Sequence, residues 1–69
     1  MLRNIVRRKR TENELTQSEL GELVGVTRQT IAFIEKGEYT PSVALSLRLA
    51  EALGTPIAEL FWLEKDDQT

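Results

Sequence analysis

The 69-residue chain contains no cysteine and no histidine, and both absences narrow the chemistry open to it. Without cysteine there can be no disulfides, no thiolate nucleophile and no cysteine-based zinc site. Without histidine the chain lacks the commonest general base and metal ligand. The glutamates lie at ordinary surface-helix spacings, which do not indicate paired carboxylates in a pocket. We therefore predict that the chain is not an enzyme and that it holds no metal or cofactor.

Long apolar runs are also missing. No stretch is long enough to span a bilayer, and the start of the chain lacks the apolar segment and small-residue cleavage site of a secretory signal. These absences predict a cytoplasmic protein without a membrane partner. A chain of 69 residues lies near the lower size limit for a core that is stable by itself, so we expect a homo-oligomer.

The charges are unevenly distributed along a chain whose formal net charge is -2. Residues 1–36 contain seven basic and five acidic side chains, whereas residues 37–69 contain two basic and six acidic ones. An acidic balance is less common than a basic one among nucleic-acid-binding domains. A solvated charged surface is the simplest explanation of such a split. The alternative is that the acidic half faces away from a phosphate backbone.

Residues 15–37 contain two short helical patterns joined by a glycine turn. Thr16 is a good N-cap, and Glu19, three residues later, completes a capping box. Apolar residues follow at helical spacing as far as Val24. Gly25 then supplies the residue that most readily adopts a left-handed conformation. The pattern predicts a helix that begins directly after Thr16 and ends at Gly25.

The second helical pattern has one apolar and one polar face. Thr27 is its N-cap, and Gly37 ends it. Ile31 and Ile34 form a stripe suited to burial. The side chains that point away from that stripe are those of Arg28, Gln29, Ala32 and Phe33. Two short helices at this spacing predict a helix-turn-helix over residues 16–36.

Three further helices are predicted outside this unit. The first covers residues 4–13. The next covers residues 42–53 and is apolar almost all round, as expected for a helix in the middle of a small bundle. A short fifth helix starts with Thr55 as its N-cap and Pro56 at its first position. The tail from Lys65 is polar and expected to fray.

The chain has no internal repeats, low-complexity tracts or linkers, so a single all-α domain of five helices is predicted over residues 1–69. Residues 1–3 and 61–63 are apolar segments at the two ends of the chain, and the second has high strand propensity. The pattern leaves open whether these ends pair as a small antiparallel β-ribbon. The predicted core consists of Leu20, Val24, Val26, Ile31, Ile34, Val43, Leu47, Ala50 and Leu53.

The stretch LTQSELGELVGVTRQTIAFIEKGEYTPS, followed by LRLAEALGTPIAELF, resembles the motif of the Cro/CI-type (XRE) helix-turn-helix family of lambda-repressor-like DNA-binding proteins. The resemblance extends from about Asn4 to Leu60. The short chain and its FWLE ending look like small stand-alone bacterial repressors of the cytolysin-repressor type. This resemblance implies a compact lambda-repressor-like fold, a symmetric homodimer, a terminal β-ribbon, and double-stranded DNA as the partner.

The resemblance assigns base reading to the helix over residues 28–36. Arg28 and Gln29 match its leading base-reading positions. At the tip of a helix in the major groove, arginine can bind guanine O6 and N7, and glutamine can bind adenine N6 and N7. Phe33, one turn further along the same face, can lie against a thymine methyl group, and Thr30 can bond either a phosphate or a base.

Other matching positions have supporting roles in the family. Arg10 and Glu35 match a pair that the family places in contact, and a structural role is expected for them because a partly buried guanidinium needs a carboxylate partner. Backbone contacts set the register of a protein on DNA but carry no sequence information directly. Positions that the resemblance assigns to contacts with the sugar-phosphate backbone are Gln17, Thr27, Lys36, Tyr39 and Thr40.

Large apolar side chains cluster near the C-terminal end, within a predicted dimerisation region over residues 55–64. Two interpretations are open: these side chains complete the monomer core, or they form a self-complementary patch around a two-fold axis. We favour the dimer, because so small a chain has few places to bury three large apolar groups in succession. The residues concerned are Ile57, Leu60, Phe61 and Trp62.

Three functions are compatible with these features. The preferred hypothesis is a homodimeric, sequence-specific transcriptional regulator, expected to repress, that places one recognition helix per subunit in successive major grooves of a near-palindromic operator. The second is an antitoxin that regulates its own promoter and also binds a protein partner. The third is a protein-interaction module without DNA binding. Salt-dependent DNA affinity separates the third hypothesis from the first two, because phosphate contacts release counterions.

Overall fold

The computed structural model describes residues 1–65, which form five helices and a two-stranded sheet. The elements follow in the order β1 (Leu2–Asn4), α1 (Val6–Glu12), α2 (Gln17–Val24), α3 (Arg28–Glu35), α4 (Val43–Ala52), α5 (Ile57–Leu60) and β2 (Phe61–Leu63). The predicted five-helix fold is confirmed. Beyond residue 65, the predicted polar tail lies outside the described residues.

Side-chain caps explain where α2, α3 and α4 begin. The hydroxyl of Thr16 accepts the backbone N–H of Glu19 at 3.0 Å, and the carboxylate of Glu19 accepts the backbone N–H of Thr16 at 2.8 Å. The predicted capping box is therefore present. Thr27 and Ser42 cap α3 and α4 in the same way, each through its side-chain oxygen. Gly25 ends α2 with a φ of 83°, in the left-handed region that favours glycine.

The turn between α2 and α3 packs closely against α2. A Cβ atom added to Gly21 would lie 2.6 Å from the carbonyl oxygen of Val26, which is too close for any real side chain. Glycine in a helix interior costs about 1 kcal/mol relative to alanine. In this chain glycine is required at position 21 despite that cost, because any side chain there would prevent the turn from packing against α2.

The apolar core lies among the helices and is closed by α1 and α5. Most of the predicted core is found there. Val26 and Ala50 are partly buried against the core. The predicted residues that are fully enclosed are Leu20, Val24, Ile31, Ile34 and Leu53. The core also contains four buried residues outside the predicted set: Val6, Leu45, Leu49 and Leu60.

Two residues of α4 were assigned to the core wrongly. Val43 is 74% exposed and Leu47 is 52% exposed. Leu45 and Leu49, one helical turn apart, are buried in their place. Because α4 is apolar almost all round, its sequence does not specify which stripe faces inward. Packing against the neighbouring helices makes that choice.

Two helix starts also differ from prediction. α1 begins at Val6, because Asn4 belongs to β1 and its Oδ1 accepts the backbone N–H of Val6 at 2.9 Å. α5 has Pro56 as its N-cap, so the prediction of Thr55 in that role is wrong. The hydroxyl of Thr55 donates to the carbonyl of Leu53 at 3.1 Å, and Thr55 is buried. It therefore makes no side-chain cap for α5.

The two ends of the chain pair as an antiparallel ribbon, which settles the question left open by the sequence. The register places Leu2 opposite Leu63, Arg3 opposite Trp62, and Asn4 opposite Phe61. The ribbon is fixed to the helices by the side-chain amide of Asn4, which donates to a backbone carbonyl at the end of α3 at 2.9 Å. Both chain ends described here are thus held beside α3.

Candidate nucleic-acid interface

α3 has one buried face and one exposed face. Ile31 and Ile34 are both 0% exposed and anchor the helix in the core. The residues on the opposite face are brought together by the helical spacing, and all of them are exposed except Ala32, which is half-buried. The exposed side chains of this face are Arg28, Gln29, Phe33 and Lys36. The helix therefore presents its predicted recognition surface to solvent.

The N-terminal tip of α3 combines two exposed polar side chains with a local cap. The hydroxyl of Thr27 accepts the backbone N–H of Thr30 at 3.2 Å, and the two hydroxyl oxygens lie 3.1 Å apart. Thr30 is half-buried by this arrangement. Arg28 and Gln29 follow the cap directly and are exposed. A guanidinium fork and an amide at a helix tip can each form paired hydrogen bonds to a base edge.

Aromatic and hydroxyl groups extend the exposed face beyond the tip. Phe33 is 48% exposed and lies one turn after Gln29 on the same side of α3. Tyr39 is 49% exposed and is followed by exposed Thr40 in the loop between α3 and α4. These side chains offer an apolar ring and hydroxyl donors, the groups that contact thymine methyls and phosphate oxygens in protein–DNA complexes.

A polar network joins α1 and α2 to the end of α3 through Glu35. Its carboxylate, in a side chain only 5% exposed, accepts two hydrogen bonds from the guanidinium of Arg10, at 2.6 Å from Nε and 3.3 Å from Nη2. The amide of Gln17 donates a third at 3.1 Å. Arg10 also donates through Nη1 to the carbonyl of Leu15 at 2.8 Å. The structure thus places the predicted Arg10 and Glu35 pair in contact.

The bond between Gln17 and Glu35 was not foreseen from the sequence. The two residues are 18 positions apart, and no local pattern relates them. A glutamine amide carries two N–H groups, of which one is donated to Glu35. Gln17, predicted to contact a phosphate, is therefore held in place at the start of α2 by the carboxylate at the end of α3.

The exposed face of α3 is cationic although the whole chain is acidic. Arg28 and Lys36 have no carboxylate within salt-bridge distance among residues 1–65. The one acidic residue of α3, Glu35, is turned inward and paired with Arg10. The local charge of this face is therefore opposite in sign to the net charge of the chain, as binding to phosphate requires.

The residues predicted for a dimer interface do not share one environment. Leu60 is 0% exposed within the monomer core, so its assignment to an interface is wrong. Its side chain is needed where α5 closes the core. Ile57 and Phe61 are half-buried, and Trp62 is 42% exposed on the ribbon. These three side chains keep surface that a second copy can cover.

Two other kinds of feature, membrane-spanning helices and metal-ligand clusters, are absent from the part of the chain that the structure describes. None of its helices is long and apolar enough to cross a membrane. Residues 1–65 also contain no cluster of three or more potential metal-ligating side chains of the histidine, cysteine, aspartate and glutamate type.

Comparison with known proteins agrees with this geometry. The sequence profile described as helix-turn-helix matches residues 6–60, which include all five helices. The chain belongs to the XRE-type helix-turn-helix family. Members of this family are transcriptional regulators and not enzymes, in agreement with the prediction made from the missing cysteine and histidine.

Family members of similar length come from bacteria and archaea. An HTH-type transcriptional regulator of Methanothermobacter thermautotrophicus is 52% identical over 66 residues, which cover 94% of this chain and 96% of the relative. The HTH-type transcriptional regulator YgzD of Bacillus subtilis is 44% identical over 66 residues, covering 96% of this chain and all of the relative. The similarity therefore includes both the helical domain and most of the flanking ribbon.

A solved structure gives the same fold. The P22 c2 repressor protein, crystallised in complex with a synthetic operator, superimposes with a TM-score of 0.75 at 30% sequence identity. The superposition covers 77% of this chain and 80% of the repressor chain. The lambda-repressor-like character of the XRE-type fold is thereby confirmed.

Proposed function

We propose that this XRE-type chain is a homodimeric, cytoplasmic repressor that binds a near-palindromic operator in double-stranded DNA. Each subunit inserts the recognition helix over residues 28–36 into the major groove. Arg28 and Gln29 read base edges, with Thr30 and Phe33 beside them. Contacts to the sugar-phosphate backbone come from Gln17, Thr27, Lys36, Tyr39 and Thr40.

The observation that carries this proposal is the exposed, cationic face of α3. Its apolar side is fully buried, so the helix is held rigidly while Arg28 and Gln29 remain free to reach outward. A site that reads sequence needs such preorganisation, because mobile side chains lose conformational entropy on binding. The similarity to a repressor solved with an operator supports DNA as the ligand of this face.

A dimer is part of the proposal because one recognition helix reads only a short stretch of bases. Helix-turn-helix dimers bind two half-sites about 34 Å apart, one turn of DNA. The described chain measures 39 × 21 × 20 Å, dimensions of the same order as this separation. We assign Ile57, Phe61 and Trp62 to the contact between the copies.

Selection from a randomised pool of DNA duplexes at two salt concentrations tests the proposal. We expect recovery of an inverted repeat with half-site centres about one helical turn apart, bound with an affinity that falls as salt rises. The mass of the protein in solution, determined alongside, should be that of a dimer. Salt-independent binding without sequence preference would contradict the proposal and would direct the search to a protein partner, such as a toxin.

Single substitutions at the tip of α3 test the assignment of base contacts. Arg28→Ala and Gln29→Ala should each relax discrimination at one base-pair position per half-site, at a cost of about 1–3 kcal/mol for the preferred base. Binding to unrelated DNA should persist. Arg8→Ala is the control, because Arg8 already pairs with Glu12 on the surface of α1. Unchanged base preference in both α3 variants would remove them from the base-reading set.

A further inference from the structure

The surface beside the C-terminal end of α3 contains an arginine to which no role has been assigned. Arg7 lies on α1 three residues before Arg10, hence on the same side of that helix. Arg10 reaches Glu35, the last residue of α3. Arg7 is exposed, and it lines, with Arg8, Thr11 and Glu35, a groove of about 580 Å³ where α1 meets the end of α3.

Lys36 lies at the same end of α3, in an adjoining groove of about 270 Å³. Asn4 and Glu35 line both grooves and therefore lie between them. Arg7 and Lys36 are therefore two cations on either side of the last turn of α3. We refer to Arg7 and Lys36 as the cationic flank.

The two carboxylates that line these grooves, Glu35 and Glu12, are already paired with other side chains. Glu35 is paired with Arg10. Glu12, which shares the groove with Arg7, lies 3.3 Å from both Lys9 and Arg8. Hydrogen bonds from these two side chains, that of Lys9 first, hold the pKa of the Glu12 carboxyl below its usual value.

Within the part of the chain that the structure describes, the cationic flank has no carboxylate partner. No carboxylate among residues 1–65 lies within salt-bridge distance of Arg7 or Lys36. The family resemblance assigns Lys36 to a contact with the DNA backbone, but it assigns no role to Arg7. A guanidinium in this setting suits an anionic ligand with several oxygen acceptors.

The length of α3 is close to the width of the major groove of DNA. Eight helical residues span about 12 Å, and the major groove is about 12 Å wide and 8.5 Å deep. If the N-terminal tip of α3 contacts bases, its C-terminal end lies at the level where the phosphates line the groove. Arg7 and Lys36 then face phosphates from two neighbouring elements.

We propose that Arg7 is a further DNA-backbone contact, which acts with Lys36 to bind phosphates at the C-terminal end of the recognition helix. This inference rests on the proposed function. The contact is independent of base sequence, since it is made to the backbone alone. It adds one phosphate contact per subunit, hence two per dimer.

Arg7→Ala and Arg8→Ala are a matched pair of variants for the test. Both variants remove one positive charge from the same groove on α1, but Arg8 already pairs with Glu12, whereas Arg7 has no carboxylate within salt-bridge distance among residues 1–65. Binding is measured by titration of the selected operator and of an unrelated duplex of equal length over a range of salt concentrations. Circular dichroism and urea unfolding check that each variant retains the fold.

Arg7→Ala should lower the affinity for both duplexes by roughly threefold to tenfold, the size expected for two exposed ion pairs. The slope of log K against log salt should become shallower by about 1.8, since each lost phosphate contact contributes about 0.9. Arg7→Lys should restore most of the slope. Arg8→Ala should leave the affinity and the slope near those of the wild type.

Two results would overturn the inference while leaving the proposed function intact. In the first, Arg7→Ala binds with the affinity and slope of the wild type. In the second, Arg8→Ala loses as much as Arg7→Ala, which would show that the loss does not depend on Arg7 lacking a carboxylate partner. Failure of the wild-type protein to bind any duplex in a salt-dependent way would overturn the proposed function and this inference together.

Discussion

Glu35 is the residue at which three segments of the chain meet. Its carboxylate accepts hydrogen bonds from Arg10 and Gln17, and it is the last residue of α3. With 5% of the Glu35 side chain and 14% of the Arg10 side chain exposed, the pair is largely removed from water. A buried charge without its partner is costly, because the desolvation penalty is no longer offset by the Coulombic attraction.

Removing one member of this pair should therefore destabilise the protein more than removing both. We expect Glu35→Ala to lower the free energy of unfolding by about 3 kcal/mol, since it leaves the Arg10 guanidinium without its carboxylate. The double variant Arg10→Met with Glu35→Leu should lose less, because no charge remains buried. Urea unfolding monitored by circular dichroism measures both.

Arg8→Ala provides the surface control for that comparison. The pair of Arg8 and Glu12 is exposed, with 71% and 50% of the two side chains accessible, so its loss should barely change the unfolding midpoint. Equal stability of Glu35→Ala and the wild type would contradict the structural role of the pair. So would a double variant less stable than Glu35→Ala.

At the scale of elements, the N-caps fix where the helices of the DNA-binding unit begin. α2, α3 and α4 each start after a threonine or serine whose side-chain oxygen accepts a backbone N–H from the first turn. These caps satisfy donors that have no partner within the helix. The N-cap residues of α1 and α5, Ile5 and Pro56, make no such bond, although the Oδ1 of Asn4 in the ribbon accepts the N–H of Val6 at the start of α1.

The capping box of α2 offers a test that leaves the face of α3 untouched. Thr16→Ala should lower the free energy of unfolding by about 1 kcal/mol, because the N–H of Glu19 loses its acceptor. Thr16→Ser keeps the hydroxyl and should unfold close to the wild type. Chemical denaturation of the three proteins provides the measurement, and a Thr16→Ala variant as stable as the wild type would contradict the role of the cap.

At the scale of the whole molecule, charge and apolar surface are distributed unevenly. The face of α3 is cationic although the chain carries a net charge of -2. Exposed apolar side chains lie on α4, at Val43, and on the ribbon, at Trp62. We assign the ribbon side to the dimer contact, since Ile57 and Phe61 adjoin it in α5 and β2.

Trp62→Ser should therefore weaken the dimer. A central interface tryptophan commonly contributes about 2 kcal/mol or more, which corresponds to a roughly 30-fold rise in the dimer dissociation constant. Sedimentation equilibrium over a range of concentrations measures it, and operator affinity should fall in parallel. Val43→Ser is the matched control, because it removes an exposed apolar group from α4. Dissociation caused by Val43→Ser and not by Trp62→Ser would place the contact on α4.

Local sequence patterns were sufficient for most of the helical architecture. The caps at Thr16 and Thr27 and the left-handed Gly25 act within a few residues of themselves, so they can be read without knowledge of the fold. The same holds for the buried stripe of α3, because its polar face leaves only one way to orient the helix. The exposure of Arg28 and Gln29 followed directly from that orientation.

Tertiary structure decided what local patterns could not. On α4, apolar residues surround the helix, so only packing determined that Leu45 and Leu49 are buried and that Val43 is exposed. Packing also determined that Leu60 is buried in the monomer core. A sequence pattern gives the periodicity of a helix, but which side of the helix packs into the core depends on the other elements of the whole chain.

Contacts between distant residues were likewise beyond the sequence by itself. The side chain of Asn4 forms a hydrogen bond with a residue of α3 that is 30 positions away in the sequence, and Gln17 forms one with Glu35, which is 18 positions away. The sequence determined the helix-turn-helix, its caps and its polar recognition face, since these depend on interactions within one or two turns of helix. The fold alone decided which polar groups are held against Glu35 and which apolar groups remain exposed, because both depend on bringing separate helices together.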